Sequence, residues 1–149
     1  QIMAGDTWDD ASIGQRAGAN ANGVFFSCFF DQTDESNEAG AVFADGFLKW
    51  VCEDSTRIDN NGGKDNQGET AISSVTPCGY DAYMAAYYAI EAAQSTKGAD
   101  IRDALASLEA TGLVTGDLKF DENGDAVKSY VAIKTFQDGE IVFSDAYTG

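Results

Sequence analysis

Tyr80-Asp81-Ala82-Tyr83-Met84-Ala85-Ala86-Tyr87-Tyr88-Ala89-Ile90 leads, through a second helical pattern, into Val114-Thr115-Gly116-Asp117-Leu118-Lys119-Phe120-Asp121-Glu122-Asn123-Gly124-Asp125. In the first stretch Tyr80, Tyr83, Met84, Tyr87 and Tyr88 recur at helical spacing, which predicts a broad apolar stripe facing a core. Aromatic side chains at that spacing read as scaffold, with their phenol groups reaching polar partners at the rim. Pro77 stands at the opening turn, where its missing donor costs nothing. The spacing predicts a following helix capped by Asp100, buried along Ile101, Leu105 and Leu108, and ended by Gly112. Val114–Phe120, Ser129–Phe136 and Glu140–Tyr147 then read as strands, the last two joined by an Asp138-Gly139 hairpin turn.

Working back toward the start, Gln1–Ala4 reads as a short strand, Gly5–Asp10 as a polar loop and Ala11–Ala17 as a weak helix. Val24–Phe30 is a continuous apolar run, the pattern of a strand covered on both faces. Asp34 or Ser36 is placed to cap a helix with Phe43, Phe47, Trp50 and Val51 inward and a stop at Cys52. Glu53–Thr76 is polar and turn-rich around Asn60-Asn61-Gly62-Gly63, an irregular excursion with room for a short strand near Thr70–Val75. The sum is an α/β chain: a three-layer arrangement with a mostly parallel sheet between helices, closed by an antiparallel hairpin.

At 149 residues and 44% hydrophobic content the chain can build a real core, but it is too short for two full lobes. No apolar run approaches the ~20 residues that span a bilayer, and no basic stretch with an apolar block opens the chain. The expectation is a soluble chain whose export signal has been removed or lies outside this sequence. Nine basic against 25 acidic side chains, net -16, argue against nucleic acid and anionic membranes as partners. With no histidine, the chain lacks the usual neutral-pH base and the commonest metal ligand. The reading therefore calls for no cofactor and no metal.

Cys28 lies within the apolar run and reads as a buried thiol. Cys52 and Cys78 flank the Glu53–Thr76 excursion, where a disulfide across its neck and two free thiols are both open. Asp121, Asn123 and Asp125 match the start of a calcium loop, but Ala126 and Ala132 stand where glycine and a bidentate glutamate are required, so a strand-to-strand turn is the reading. Asp59-Asn60-Asn61-Gly62-Gly63 meets the same objection. Asp6, Asp9 and Asp10 cluster beside Trp8; Asp9 or Asp10 reads as a helix cap. Asp6 differs, because it follows a strand through Gly5 and so sits at a strand's carboxyl end, where open α/β sheets place ligand groups.

The order of these segments resembles the type I periplasmic binding proteins of ABC transporters, in the branch for leucine, isoleucine, valine and related amino acids. The resemblance rests on the strand ending in Gly5-Asp6-Thr7-Trp8, the Asn22-Gly23-Val24-Phe25-Phe26 strand, the Phe43–Val51 helix, Gly79-Tyr80-Asp81-Ala82, Ile101-Arg102-Asp103-Ala104-Leu105, and the Thr115–Asp125 stretch. It implies two α/β lobes that close on a ligand, in a protein about twice this length, of which this sequence looks like the truncated later part. Residues 1–29 and 129–149 would belong to the second lobe and residues 30–128 to the first. It implies a binding protein and not an enzyme, with Asp6 holding a ligand ammonium, Thr7 also at the ligand, Trp8 walling the pocket, and Val75 near the ligand side chain. An amino acid and ABC permease subunits are the implied partners, and the implied location is periplasmic or extracellular, free or lipid-anchored. A ligand-sensing module of a membrane receptor is the alternative with the same architecture. A chain lacking the partner strands of its sheet is further expected to bind ligand poorly alone and to form homo-oligomers by exchanging strands or elements.

Overall fold

In the computed structural model, which describes residues 2–64 and 67–149, two sheets carry the architecture. β1 (Ile2–Ala4) runs parallel to β2 (Val24–Cys28), which pairs antiparallel with β6 (Tyr130–Gln137), itself antiparallel to β7 (Glu140–Thr148). The α/β class is as expected, while the sheet is mixed, with β1–β2 its parallel pair. The closing hairpin inserts its first strand directly against β2, and this makes the remaining pairs antiparallel. Asp138 and Gly139 both take positive φ, 53° and 91°, the twist-matched conformation of a two-residue hairpin turn. Asn22 clamps that turn, accepting from the Asp138 N–H at 2.8 Å and donating to its carboxylate at 3.1 Å.

Val24, Phe26 and Cys28 of β2 are buried and Phe25 and Ser27 half-buried. α1 (Ala11–Ala17) is capped by Asp10, which accepts from Ser12 N–H at 2.8 Å. Ala21, Val24, Phe26 and Phe136 form a core there, with Trp8, Ile13 and Ile141 against it. α1 meets the hairpin so closely that a Cβ at Gly14 would strike the Gly139 carbonyl.

α2 (Glu38–Cys52) is capped by Asn37, which accepts from Gly40 N–H at 2.8 Å and donates to the Val114 carbonyl at 3.0 Å. The expected caps serve elsewhere: Asp34 accepts from the Ser36 N–H and hydroxyl at 2.9 and 2.6 Å and from the Tyr130 hydroxyl at 2.7 Å. The following excursion contains α3 (Ser55–Asn60), capped by Asp54 and anchored by buried Ile58. No strand forms over Thr70–Val75, because the Gln32 side chain takes the Ile72 N–H and the Thr70 carbonyl, both at 2.8 Å, that a neighbouring strand would need.

α4 (Thr76–Ala93) departs from its predicted stripe. Its buried line is Pro77, Asp81, Ala85 and Ala89, with Met84 and Tyr88 half-buried, whereas Tyr80, Tyr83 and Tyr87 are exposed. Small residues at i and i+4 bring the helix backbone against its neighbours, and the large rings are left at the margin. α5 (Gly98–Ala106) begins after Lys97 without a side-chain cap; Asp100 lies in its first turn and accepts from the Ser95 hydroxyl at 2.6 Å. The helix ends at Ala106, short of Gly112. A small antiparallel sheet follows, β3 (Glu109–Ala110), β4 (Leu118–Phe120) and β5 (Ala126–Lys128). Asp121–Asp125 is the turn between β4 and β5, with the Asp121 carboxylate accepting from the N–H groups of Asn123 and Asp125 at 2.9 Å each. Ala85, Ala110, Leu113 and Leu118 form a core under this sheet, and Phe30, Ala44, Ile72 and Val114 form another under α2.

Of the two arrangements open for Cys52 and Cys78, the structure has the unbridged one. Both are free thiols: Cys52 is exposed and directs its sulfur to the Glu69 carbonyl at 3.5 Å, and Cys78 directs its sulfur back to the Ser74 carbonyl at 3.9 Å. Each thiol is engaged locally at its own end of the excursion.

Candidate functional site

Gly5 breaks β1, and Asp6–Trp8 close into a single 3-10 turn. Its backbone is self-satisfied, with Trp8 N–H to Gly5 O at 3.1 Å, Asp9 N–H to Asp6 O at 3.0 Å and Asp10 N–H to Trp8 O at 2.8 Å. Asp6 and Thr7 are exposed at the end of the strand. Trp8 is half-buried, its ring 6.4 Å from that of Phe136, so it works as the turn's anchor in the core.

Val75 is 53% exposed at the residue preceding α4. Burial raises the pKa of the nearby Cys78 thiol, Lys128 opposes the shift, and the charges of Asp81 and Asp6 add to it. The charge of Asp6 is thus the smallest of the influences on Cys78, in the first turn of α4. The exposed Asp6 carboxylate offers an ammonium partner, and the exposed Val75 side chain an apolar contact.

Lys134 is the group that the sequence did not single out. Its ammonium lies 3.1 and 3.2 Å from the two Asp9 carboxylate oxygens and 3.2 Å from Asp31, and all three side chains are at most 10% exposed. The signal was a lone charge inside the apolar strand Val131-Ala132-Ile133-Lys134-Thr135-Phe136, a pattern that demands a buried counter-charge. A second missed cluster surrounds Asp81, on the buried face of α4. A cleft of about 930 Å³ opens beside the first cluster, with Asp9, Asp10, Lys134, Gln32, Asn61 and Thr76 among its lining. Asp6, Thr7, Trp8 and Val75 are not part of that lining.

Among the described residues no group of three or more acidic, cysteine or histidine side chains is arranged to hold a metal ion. Burial pushes the Cys28 thiol up to about 11, so it remains protonated near neutrality and is a poor nucleophile.

No family profile and no curated protein matches the sequence. Solved structures do match its shape. A leucine-binding protein from Thermotoga maritima superposes with a TM-score of 0.68 at 24% identity, over 99% of this chain and 37% of its own. An ABC transporter substrate-binding protein from Desulfitobacterium hafniense, in complex with Leu, gives 0.66 at 23% identity over 95% of this chain and 35% of its own. The chain has part of the fold of ABC-transporter substrate-binding proteins. A solute-binding protein from R. palustris in complex with benzoate shares it too, with a TM-score of 0.59 at 14% identity, over 91% of this chain and 33% of that one. The chain thus spans about a third of the length of these substrate-binding proteins. No helix among the described residues is long and apolar enough to cross a membrane.

Proposed function

We propose that this chain forms part of the ligand-recognition component of an ABC importer for branched-chain or related amino acids, acting outside the cytoplasm with permease subunits as partners. The observation that carries the reading is the exposed Asp6 carboxylate at the end of β1, in a fold shared with substrate-binding proteins. On this reading residues 1–29 and 129–149 belong to one lobe, around the four-stranded sheet, and residues 30–128 to the other, around α2, α4 and the small sheet. Asp6 receives the ligand ammonium and Val75 approaches its side chain from the facing lobe. Trp8 sets the turn from below, and Thr7 lies beside the ammonium.

Isothermal titration of the full-length protein carrying this sequence, with leucine, isoleucine, valine, a wider amino-acid panel and benzoate, tests the substrate class. Amino-acid binding is expected, and replacing Asp6 by Ala should cost ~2 to 5 kcal/mol, because a buried ammonium would lose its counter-charge. Binding of benzoate alone would overturn the amino-acid assignment, and unchanged affinity in Asp6→Ala would remove Asp6 from the site.

A further inference from the structure

We infer that Lys134 is a positioning residue that holds the ligand turn Asp6–Trp8 in register with the segment leaving β2. The inference rests on the reading of Asp6 as a ligand group, and its first observation is geometric. Lys134 stands in β6, central in the four-stranded sheet, and grips carboxylates from two backbone segments that share no other ion pair among the described residues. Asp9 closes the Asp6–Trp8 turn, its N–H donating to the Asp6 carbonyl at 3.0 Å. Asp31 starts the segment that runs from β2 toward α2, and its other carboxylate oxygen accepts from the N–H and hydroxyl of Thr33 at 2.7 and 2.6 Å. One ammonium thus fixes both the turn that bears Asp6 and the first residues of the link between the two groups of elements.

The second observation is energetic. Desolvating three charges costs several kcal/mol per ion, and buried ion pairs seldom return more than a well-packed apolar replacement would. A leucine or methionine in β6 would serve the sheet as well. What an apolar residue could not do is specify where two separate carboxylate-bearing segments stop, since dispersion contacts are non-directional and charge-assisted hydrogen bonds are not. Burial works against the Lys134 charge, and the facing carboxylates of Asp9 and Asp31 outweigh it, so the ammonium persists and the grip with it.

Amide hydrogen exchange on the full-length protein, read at Trp8, Asp9 and Asp10, tests this directly and needs no ligand. In Asp9→Asn, which leaves Lys134 paired with Asp31, those amides should exchange about tenfold faster while amides of the β6–β7 hairpin keep their rates. Asp31→Asn should leave the turn amides within about twofold of the parent. Lys134→Met should reproduce the Asp9→Asn pattern, and Asp9→Asn carries the test if Lys134→Met does not fold. Unchanged turn amides in Asp9→Asn, or equal acceleration of turn and hairpin amides, would overturn the inference. Titration with leucine then separates the two readings. If the parent binds and Asp9→Asn loses about tenfold in affinity while its melting point holds, positioning of the ligand turn stands. A parent that binds no amino acid would sink the functional reading, while the exchange pattern still decides whether Lys134 holds the turn.

Discussion

The Asp81 carboxylate is 2% exposed at the residue level and accepts four hydrogen bonds. They come from the N–H of Val114 at 3.0 Å, the N–H and hydroxyl of Thr115 at 2.8 and 2.5 Å, and the Lys128 ammonium at 3.2 Å. This grip explains why Val114–Asp117 turns where an extended strand was expected: the N–H groups of Val114 and Thr115 point into a helix side chain, that of Gly116 to the Leu113 carbonyl and that of Asp117 to the Ser129 hydroxyl, and none along a ladder. Gly116 completes the turn at φ 86°, with the Tyr130 Cβ 2.5 Å from where a side chain would begin. Asp81→Ala would leave two buried N–H donors without acceptors, at about 1 to 3 kcal/mol each, so a loss of roughly 3 to 5 kcal/mol is expected. Asp81→Asn keeps one acceptor oxygen and should lose about half as much. Urea unfolding of both variants checks the order, and a loss below about 1 kcal/mol for Asp81→Ala would show that the turn holds itself.

At the scale of the element, α4 shows what periodicity reveals and what it conceals. The spacing located a long helix with Pro77 at its start, because the 3.6-residue repeat and the proline preference are local properties. Which of two adjacent stripes faces inward was not local. Hydrophobicity favours the tyrosines, whereas the Asp81 grip and the close approach permitted by Ala85 and Ala89 rotate the helix the other way. Tyr83, 70% exposed, should therefore tolerate Tyr83→Ser within about 0.5 kcal/mol. Ala85→Leu should cost about 1 to 3 kcal/mol by overpacking. Equilibrium unfolding of the pair decides between the stripes, and the reverse order would restore the tyrosines to the core. The hairpin at Asp138-Gly139 was legible for the same local reason. The small sheet was only partly so, since strands of two or three residues carry no measurable alternation. The strand end before Asp6 was legible because Gly5 visibly breaks β1. Lys134 could not be assigned its partners, which lie more than a hundred positions earlier in the chain and meet it only after β2 and β6 pair.

Across the whole molecule, the two groups of elements are joined near Cys28, Asp31, Asp34, Tyr130 and Lys134, and the titration of Cys28, Tyr130 and Lys134 makes the junction sensitive to alkali. Burial raises the Cys28 thiol to about 11 and also raises the Tyr130 hydroxyl, which Asp34 pushes further up. The carboxylates facing Lys134 overcome its burial and raise it as well. A group whose folded pKa is raised contributes stability in full below its unfolded pKa and loses it as pH rises through the folded value. For these groups the unfolded values are about 8.5, 10 and 10.4, so stability should be level near neutrality and fall from about pH 8.5 upward. The rise of the Cys28 thiol to about 11 alone corresponds to roughly 3 kcal/mol. Asp34 acts at the other end. Burial pulls its carboxyl up, but hydrogen bonds from Ser36 and Tyr130 outweigh this and lower it, so its contribution is present above about pH 4 and is lost as pH falls through the folded value. Self-repulsion from the net charge of -16 adds to the alkaline loss once Lys134 is neutralised. Urea midpoints taken from pH 6 to 11 should therefore hold to about 8 and then decline. Cys28→Ala should flatten the first part of that decline, and Tyr130→Phe a later part, because each removes one titrating group while leaving its neighbours in place. A midpoint that stays level to pH 11 in the parent chain would mean that these groups titrate without opening the junction.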